Sequence, residues 1–117
     1  MERYFPLFVN LTEKRILVVG AGPVATRRVR ILLKFGCGIM VVAPEFSEEF
    51  NEIINRKIDN SGGLGDSGAT YNGRLSYEKR RFLDSDLNNK DMVIIASNST
   101  DENERIATLC KEKGIMK

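Results

Sequence analysis

Histidine is absent from this chain of 117 residues, and cysteine occurs only twice. Without histidine, the chain lacks the side chain that most often serves as a general base or as a metal ligand. Cys37 and Cys110 are far apart and form no Cys-x-x-Cys pair, so the spacing of a metal or redox site is missing. We therefore predict no metal ligands, and we expect both cysteines to be small residues in or near the core.

Long apolar runs and a strong excess of one charge are also lacking. No stretch approaches the ~18 apolar residues of a membrane span, and the first residues do not resemble a signal peptide. The net charge of +2 is too small to indicate a nucleic-acid partner. We expect a single cytoplasmic domain over residues 1–117 that binds neither membranes nor nucleic acids.

The most informative feature that is present is a glycine turn between an apolar run and a helix pattern. The run 16–19 is continuously apolar, as in a parallel strand that is buried on both faces. The turn contains Gly20, Ala21 and Gly22, and Ala25 stands in the first helical turn. In a dinucleotide-binding fold the first glycine permits the tight turn, the second lets the backbone approach the pyrophosphate, and a small third residue lets the helix pack against the strand. The phosphates would meet the free N–H groups of the helix N-terminus.

The rest of the chain alternates strand and helix patterns, which predicts an α/β fold with a parallel sheet. A right-handed first crossover gives the strand order 3-2-1-4 in a three-layer Rossmann-type fold. The glycine-rich stretch 59–73 is expected to be a mobile surface loop. The alternative, a second phosphate loop, would need a strand before the glycines and Lys-Ser/Thr after them. The predicted elements are strands over 15–19, 38–43, 75–82 and 91–96, helices over 23–35, 48–56 and 102–113, a turn over 83–89, and the start of a fifth strand at 115–116. Ser47 is the predicted N-cap of the second helix.

The end of the second predicted strand lacks the acidic residue that usually binds the ribose, ~20 residues beyond the glycines. Ala43 and Pro44 stand there, and the nearest carboxylate, Glu45, comes slightly later. Either the main chain around Pro44 and Glu45 contacts the adenosine, or Glu45 reaches the ribose, or the nucleotide binds poorly. Glu45 could also be a solvated loop residue. No arginine stands at this turn to bind a 2′-phosphate, which favours NAD over NADP.

Several segments together resemble one known family. They are Pro6, Leu7 and Phe8, then Leu11, 16–25, Arg27, Arg28, Leu32, Leu33, Gly36 and 41–44, and a second block of Phe82, Asp86, Leu87, 93–96 and Asn103. In these residues the chain resembles the N-terminal precorrin-2 dehydrogenase domain of siroheme synthases, over nearly its whole length apart from 59–73. Such proteins use NAD⁺ to take a hydride from precorrin-2, which gives sirohydrochlorin, and some also insert Fe²⁺.

The resemblance implies that NAD contacts the main chain at two places, Pro23–Val24 and Pro44–Glu45. In this family the second strand commonly ends in Ala-Pro, which accounts for the missing acidic residue. Ser97 begins a polar turn near the cofactor, where the family typically has an acidic run. The predicted cofactor-binding residues are Gly20, Ala21, Gly22, Pro23, Val24, Ala43, Pro44, Glu45 and Ser97.

The resemblance also implies that the catalytic residue is missing from this chain. The key Asp of the family lies in an Asn-Val-Val-Asp-like segment after the last helix, and the sequence stops at Lys117. We therefore predict no catalytic residue here. We expect the NAD-binding part of a longer, homodimeric protein that acts on a tetrapyrrole. Asp101 is interpreted as a helix cap, a role that Ser99 or Thr100 could also fill.

Two other interpretations of the glycine turn remain open. A nucleotide-sensing regulatory module of the potassium-transporter type usually has an acidic residue at the end of strand two, so Ala43 and Pro44 count against it. A glutamyl-tRNA reductase domain would carry a long catalytic domain before strand one. The basic residues Arg27, Arg28 and Arg30 could face the carboxylates of a tetrapyrrole or form a solvated helix face. The basic runs 79–81 and 111–113 are interpreted as solvated.

Overall fold

A computed structural model describes residues 8–59 and 74–117 of the chain. Within these ranges four parallel strands form one sheet in the order β3-β2-β1-β4. The prediction of a Rossmann-type sheet with the order 3-2-1-4 is therefore confirmed. The elements are β1 (Arg15–Val19), α1 (Pro23–Leu32), β2 (Gly38–Ala43), α2 (Glu48–Asp59), β3 (Arg74–Lys79), β4 (Met92–Ile95) and α3 (Thr100–Lys113), with 3₁₀ turns at Leu33–Phe35 and Asp84–Leu87.

Alternate residues of β1 belong to two separate hydrophobic clusters. Ile16 and Val18 are fully buried with residues of α1 and α2, whereas Leu17 and Val19 are buried with residues of α3. Successive side chains of a strand point to opposite faces of the sheet, so both faces of β1 are covered. The described part of the chain thus forms three layers, with the sheet between two layers of helices. Residues 16–19 of β1 are all apolar because a parallel strand that is covered on both faces buries every side chain.

The bounds of β1 and β2 agree with the predicted ones, and those of other elements differ. The first helix gives way to a 3₁₀ turn after Leu32, and Gly36 with φ +76° ends that turn. The second helix continues to Asp59, beyond its predicted end at 56. The third strand ends at Lys79 rather than at 82, because Arg80 turns to bind Asp86 and the Phe82 side chain packs into the α3 cluster.

A parallel bridge joins Met116 to Met92 beyond the end of α3. The N–H of Val93 donates to the Met116 carbonyl at 2.8 Å. Residues 115–116 therefore lie beside β4, where the start of a fifth strand was predicted. Asp59, the first residue of the predicted loop over 59–73, belongs to α2. The rest of that loop and the motif residues Pro6 and Leu7 lie outside the described residues.

Candidate nucleotide-binding site

Gly20 follows β1 in a conformation that only glycine adopts without strain. Its φ is +123°, and an added Cβ would lie 2.5 Å from the carbonyl oxygen of Ala96. The Gly20 N–H donates to the Val42 carbonyl at 3.0 Å. The turn is therefore fixed between the ends of β2 and β4, in agreement with the predicted tight turn at the first glycine.

Gly22 has a different environment from Gly20. Its φ is −84°, and an added Cβ would meet no atom within 4 Å. As the N-cap of α1 it offers no side-chain oxygen to the helix, and Pro23 occupies the first turn. The first N–H groups of a helix have no partner within the helix, and they lie at the positive end of its dipole. The turn thus presents open space in front of unpaired donors, which is what a phosphate group requires.

A second loop, between β2 and α2, is hydrogen-bonded to the glycine turn. The N–H of Ser47 donates to the Ala21 carbonyl at 3.0 Å. The Ser47 hydroxyl accepts a hydrogen bond from the Phe50 N–H at 3.2 Å and lies 3.5 Å from the hydroxyl of buried Thr26. Ser47 is therefore the N-cap of α2 that the sequence predicted, and it also holds the two loops together.

A third loop joins β4 to α3 at the same edge of the sheet. Ser99 is the N-cap of α3, because its hydroxyl accepts a hydrogen bond from the Glu102 N–H at 3.2 Å. The interpretation of Asp101 as the cap is therefore wrong. Asp101 lies in the first turn, where a negative charge interacts favourably with the helix dipole.

The three loops enclose a cavity of about 790 Å³ at the carboxyl ends of the strands. We call it the edge cleft. Ligands of open α/β sheets bind at this position. Of the predicted cofactor-binding residues, seven line the cleft, whereas Pro23 and Val24 are exposed at the start of α1 and do not line it. The lining consists of residues 20–22, 43–47 and 96–99 together with Arg81, Asp101, Glu102 and Arg105.

Two arginines that the sequence did not assign to a site, Arg81 and Arg105, line the edge cleft. Arg81 follows β3 and was taken as part of a solvated basic run. Arg105 lies on α3, where it donates to Asp84 at 2.6 Å and has its guanidinium 5.5 Å from the centre of the Phe82 ring. No local pattern brings β3 and α3 together, since their proximity depends on how the chain crosses the sheet. The negative lining residues are Glu45, Asp101 and Glu102, so the cleft carries both signs of charge.

A buried ion pair supports the segment that leads from β3 to the cleft. Arg80 donates to both carboxylate oxygens of Asp86, at 2.9 and 2.8 Å. The N–H of Leu83 donates to the same carboxylate at 2.8 Å, and the Asp86 N–H donates back to the Leu83 carbonyl. Burial alone would raise the pKa of Asp86, but the hydrogen bonds from Arg80 and Leu83 and the nearby positive charges hold that pKa below its usual value. Asp86 is therefore ionised at neutral pH, and its carboxylate holds the segment from Arg80 to Leu83 in place.

Both cysteines are buried, as predicted. Burial raises the pKa of the Cys37 thiol and that of the Cys110 thiol, which keeps both groups protonated and unreactive. Among residues 8–59 and 74–117, no three histidine, cysteine or acidic side chains are grouped so that they could hold a metal ion. No helix in that part of the chain has the length and apolar character needed to cross a membrane.

Comparison with known proteins identifies the family of this chain. A family model described as "Putative NAD(P)-binding" matches residues 7–117. The chain belongs to this NAD(P)-binding family. The match agrees with the cofactor class that the glycine turn predicts, and the cleft supplies the matching geometry.

Individual relatives of this NAD(P)-binding chain are siroheme proteins. The chain is 38% identical over 111 residues to a probable multifunctional siroheme biosynthesis protein HemA of Ruminiclostridium josui, covering 95% of this chain and 18% of that protein. It is 28% identical to a siroheme synthase of Chromobacterium violaceum, over 97% of this chain and 21% of that protein. The chain thus spans about a fifth of the length of these relatives.

A solved structure with the same fold supports the same family. SirC, a precorrin-2 dehydrogenase, matches with a TM-score of 0.69 and 27% identity, over 89% of this chain and 44% of that chain. Together with the siroheme synthases, this confirms the resemblance to the N-terminal domain of siroheme synthase.

Proposed function

We propose that this chain is the NAD-binding part of a precorrin-2 dehydrogenase that acts in siroheme biosynthesis. The observation that carries the proposal is the edge cleft, in which three loops at the carboxyl edge meet around an open glycine turn. The names of the relatives and of the matching structure support the reaction. In that reaction precorrin-2 loses a hydride and a proton and becomes sirohydrochlorin.

The residues of the cleft fit a dinucleotide. Gly22 leaves open the space that a side chain would fill, and the N-terminus of α1 offers unpaired N–H groups to a pyrophosphate. The main chain around Ala43 and Pro44 would bind the adenosine end, because no carboxylate ends β2. When bound, NAD⁺ supplies the acceptor for the hydride. The chain's own residues bind and orient the nucleotide.

The choice of NAD over NADP follows from charge at the end of β2. Glu45 lines the cleft directly after Ala43 and Pro44, and its carboxylate would repel a 2′-phosphate. Arg81 lines the same cleft and would favour that phosphate if it lay close enough to pair with it. We propose NAD as the cofactor because Glu45 closely follows the end of β2, and titration with both nucleotides tests this choice.

We propose no residue of this chain for proton transfer. Asp101 lines the cleft but lies in the first turn of α3, and we assign it no catalytic role. The tetrapyrrole substrate, the homodimeric state of the parent protein and its cytoplasmic location belong to the same proposal. The two unpaired, buried thiols are consistent with a reducing compartment.

Isothermal titration with NAD⁺ and NADP⁺ tests the proposal. We expect the chain to bind NAD⁺ more tightly than NADP⁺. Gly22→Ala should weaken NAD⁺ binding about tenfold or more, a loss of ~1.4 kcal/mol or more, because the added methyl group would enter the space proposed for the pyrophosphate. Gly38→Ala is the matched control, since its added Cβ would make only an ordinary 3.8 Å contact far from the cleft. Absence of NAD⁺ binding, or equal affinities for Gly22→Ala and the unchanged chain, would contradict the proposal. Production of NADH from precorrin-2 by the full-length protein tests the reaction itself.

A further inference from the structure

Two side chains join the third loop of the edge cleft to helix α3. The hydroxyl of Ser97 donates to Oδ1 of Asn103 at 2.5 Å. The Nδ2 group of Asn103 donates to the Ser97 carbonyl at 3.0 Å. The Ser99 N–H donates to the Ser97 hydroxyl at 3.3 Å, and the Asn103 N–H donates to the Ser99 carbonyl at 2.9 Å. The loop is therefore closed on itself through one asparagine.

The chemistry of these bonds requires an amide at position 103. Asn103 uses its oxygen as an acceptor and its nitrogen as a donor toward the same residue. Aspartate has the same shape but, when ionised, no donor for the Ser97 carbonyl, and leucine has neither group. Asn103 is half-buried, so water replaces its hydrogen bonds only in part when they are lost.

The backbone at Ala96 and Ser97 packs against Gly20 of the glycine turn. The Ala96 carbonyl oxygen lies 2.5 Å from the point where a Cβ of Gly20 would be, and the Ser97 nitrogen lies 3.1 Å from the same point. The Ala96 N–H also donates to the Val19 carbonyl at 2.8 Å. The backbone that Asn103 holds is therefore packed against the glycine turn, and a shift of Ser97 would move one wall of the edge cleft.

Asn103 itself does not line the edge cleft, whereas Ser97 does. We propose that Asn103 is a positioning residue, which sets the affinity for the dinucleotide by holding Ser97 and the β4–α3 loop against the glycine turn. This inference rests on the proposed function, because the ligand that it concerns is NAD. It assigns Asn103 no contact with the nucleotide.

A double-mutant cycle on NAD⁺ affinity tests the inference. The variants are Asn103→Leu, Ser97→Ala and the two combined, measured by isothermal titration. We expect Asn103→Leu to weaken binding about tenfold, and we expect the combined variant to bind about as weakly as the weaker single variant, since both changes act on one loop. Asn103→Asp should lose affinity as well, because it keeps the acceptor and lacks the donor. Thr108→Ala is the control, since it removes a comparable hydrogen bond, to the Glu104 carbonyl at 3.0 Å, on the same helix.

A second measurement needs no nucleotide. In ¹H–¹⁵N spectra of the free chain, Asn103→Leu should shift the amide signals of Gly20 and Ser97, and Thr108→Ala should leave them in place. Unchanged NAD⁺ affinity in Asn103→Leu, or losses that multiply in the combined variant, would overturn the inference. If the unchanged chain binds no NAD⁺, the proposed function fails. The spectra then decide by themselves whether Asn103 shapes the loop, and unshifted signals would reject that as well.

Discussion

The ion pair between Arg80 and Asp86 should make a larger contribution to stability than any other charge contact described above. The Asp86 side chain is 4% exposed and that of Arg80 is 29% exposed. Removing one partner of a buried pair costs ~3–5 kcal/mol, because the other charge is left without compensation. The cost depends on which partner remains, and the two partners differ in their surroundings.

Substitution of either partner should lower the free energy of unfolding, and the two losses should differ. In Asp86→Asn the remaining Arg80 is partly exposed and still lies 3.2 Å from Glu78, so we expect a loss below the usual range, about 2 kcal/mol. In Arg80→Leu the remaining carboxylate is buried and keeps only the N–H of Leu83, so we expect about 3 kcal/mol or more. At about 4 °C per kcal/mol for a domain of this size, the melting temperature should fall by roughly 8 and 12 °C.

The same ion pair predicts a pH dependence of stability. The pKa of Asp86 is lowered in the folded state, so the pair's contribution is fully present above the unfolded pKa of about 3.9. It is lost as the pH falls through the lower, folded pKa. The free energy of unfolding should therefore decrease below about pH 4 in the unchanged chain, and less steeply in Asp86→Asn.

Urea denaturation between pH 3 and 7, followed by circular dichroism, measures both effects. Asp84→Asn is the matched control, because Asp84 pairs with Arg105 at the surface, where such pairs contribute ~0–1 kcal/mol. The ion pair does not contribute as described if Asp86→Asn is as stable as the control, or if its stability declines below pH 4 as steeply as that of the unchanged chain.

Two further predictions concern the glycine turn and the thiols. Gly20→Ala should destabilise the fold by about 3 kcal/mol or more, because φ is +123° and the methyl group would overlap Ala96; a denaturation midpoint equal to that of Gly38→Ala contradicts this. Cys37 and Cys110 should react with a thiol reagent only when the chain unfolds, because both side chains are buried. The labelling rate should therefore rise with denaturant concentration. Fast labelling without denaturant would contradict this prediction.

The parts of the fold that the sequence predicted well depend on local signals. The strands over 15–19 and 38–43 have the predicted bounds. The first contains the apolar run 16–19 and stops before Gly20, and the second is apolar after Gly38 and stops before Pro44. The predicted N-cap Ser47 follows from its position before an amphipathic pattern. In these segments the local pattern was sufficient to predict the element.

The errors occur where a side-chain contact, the backbone geometry or the crossing of the sheet decides the structure. The third strand stops early because Arg80 binds Asp86 beyond the turn. The helix cap fell to Ser99 rather than to Asp101, and three consecutive polar residues could not be ranked without the backbone geometry. Arg81 and Arg105 meet at the edge cleft only after the chain has crossed the sheet. A basic residue in a sequence does not reveal which loop it will face.

The three loops of the edge cleft are mechanically linked, and this bears on how substitutions there are interpreted. Ser47 binds the glycine turn from one side through the Ala21 carbonyl, and Ala96 packs on Gly20 from the other. A change in the second or third loop therefore alters the turn that would bind the pyrophosphate, even without contact to it. Under the proposed function, the cleft would bind the nucleotide largely through backbone groups, whose positions depend on these contacts. Loss of affinity in a loop variant thus identifies a residue of the linked unit, and only a double-mutant cycle separates direct contact from positioning.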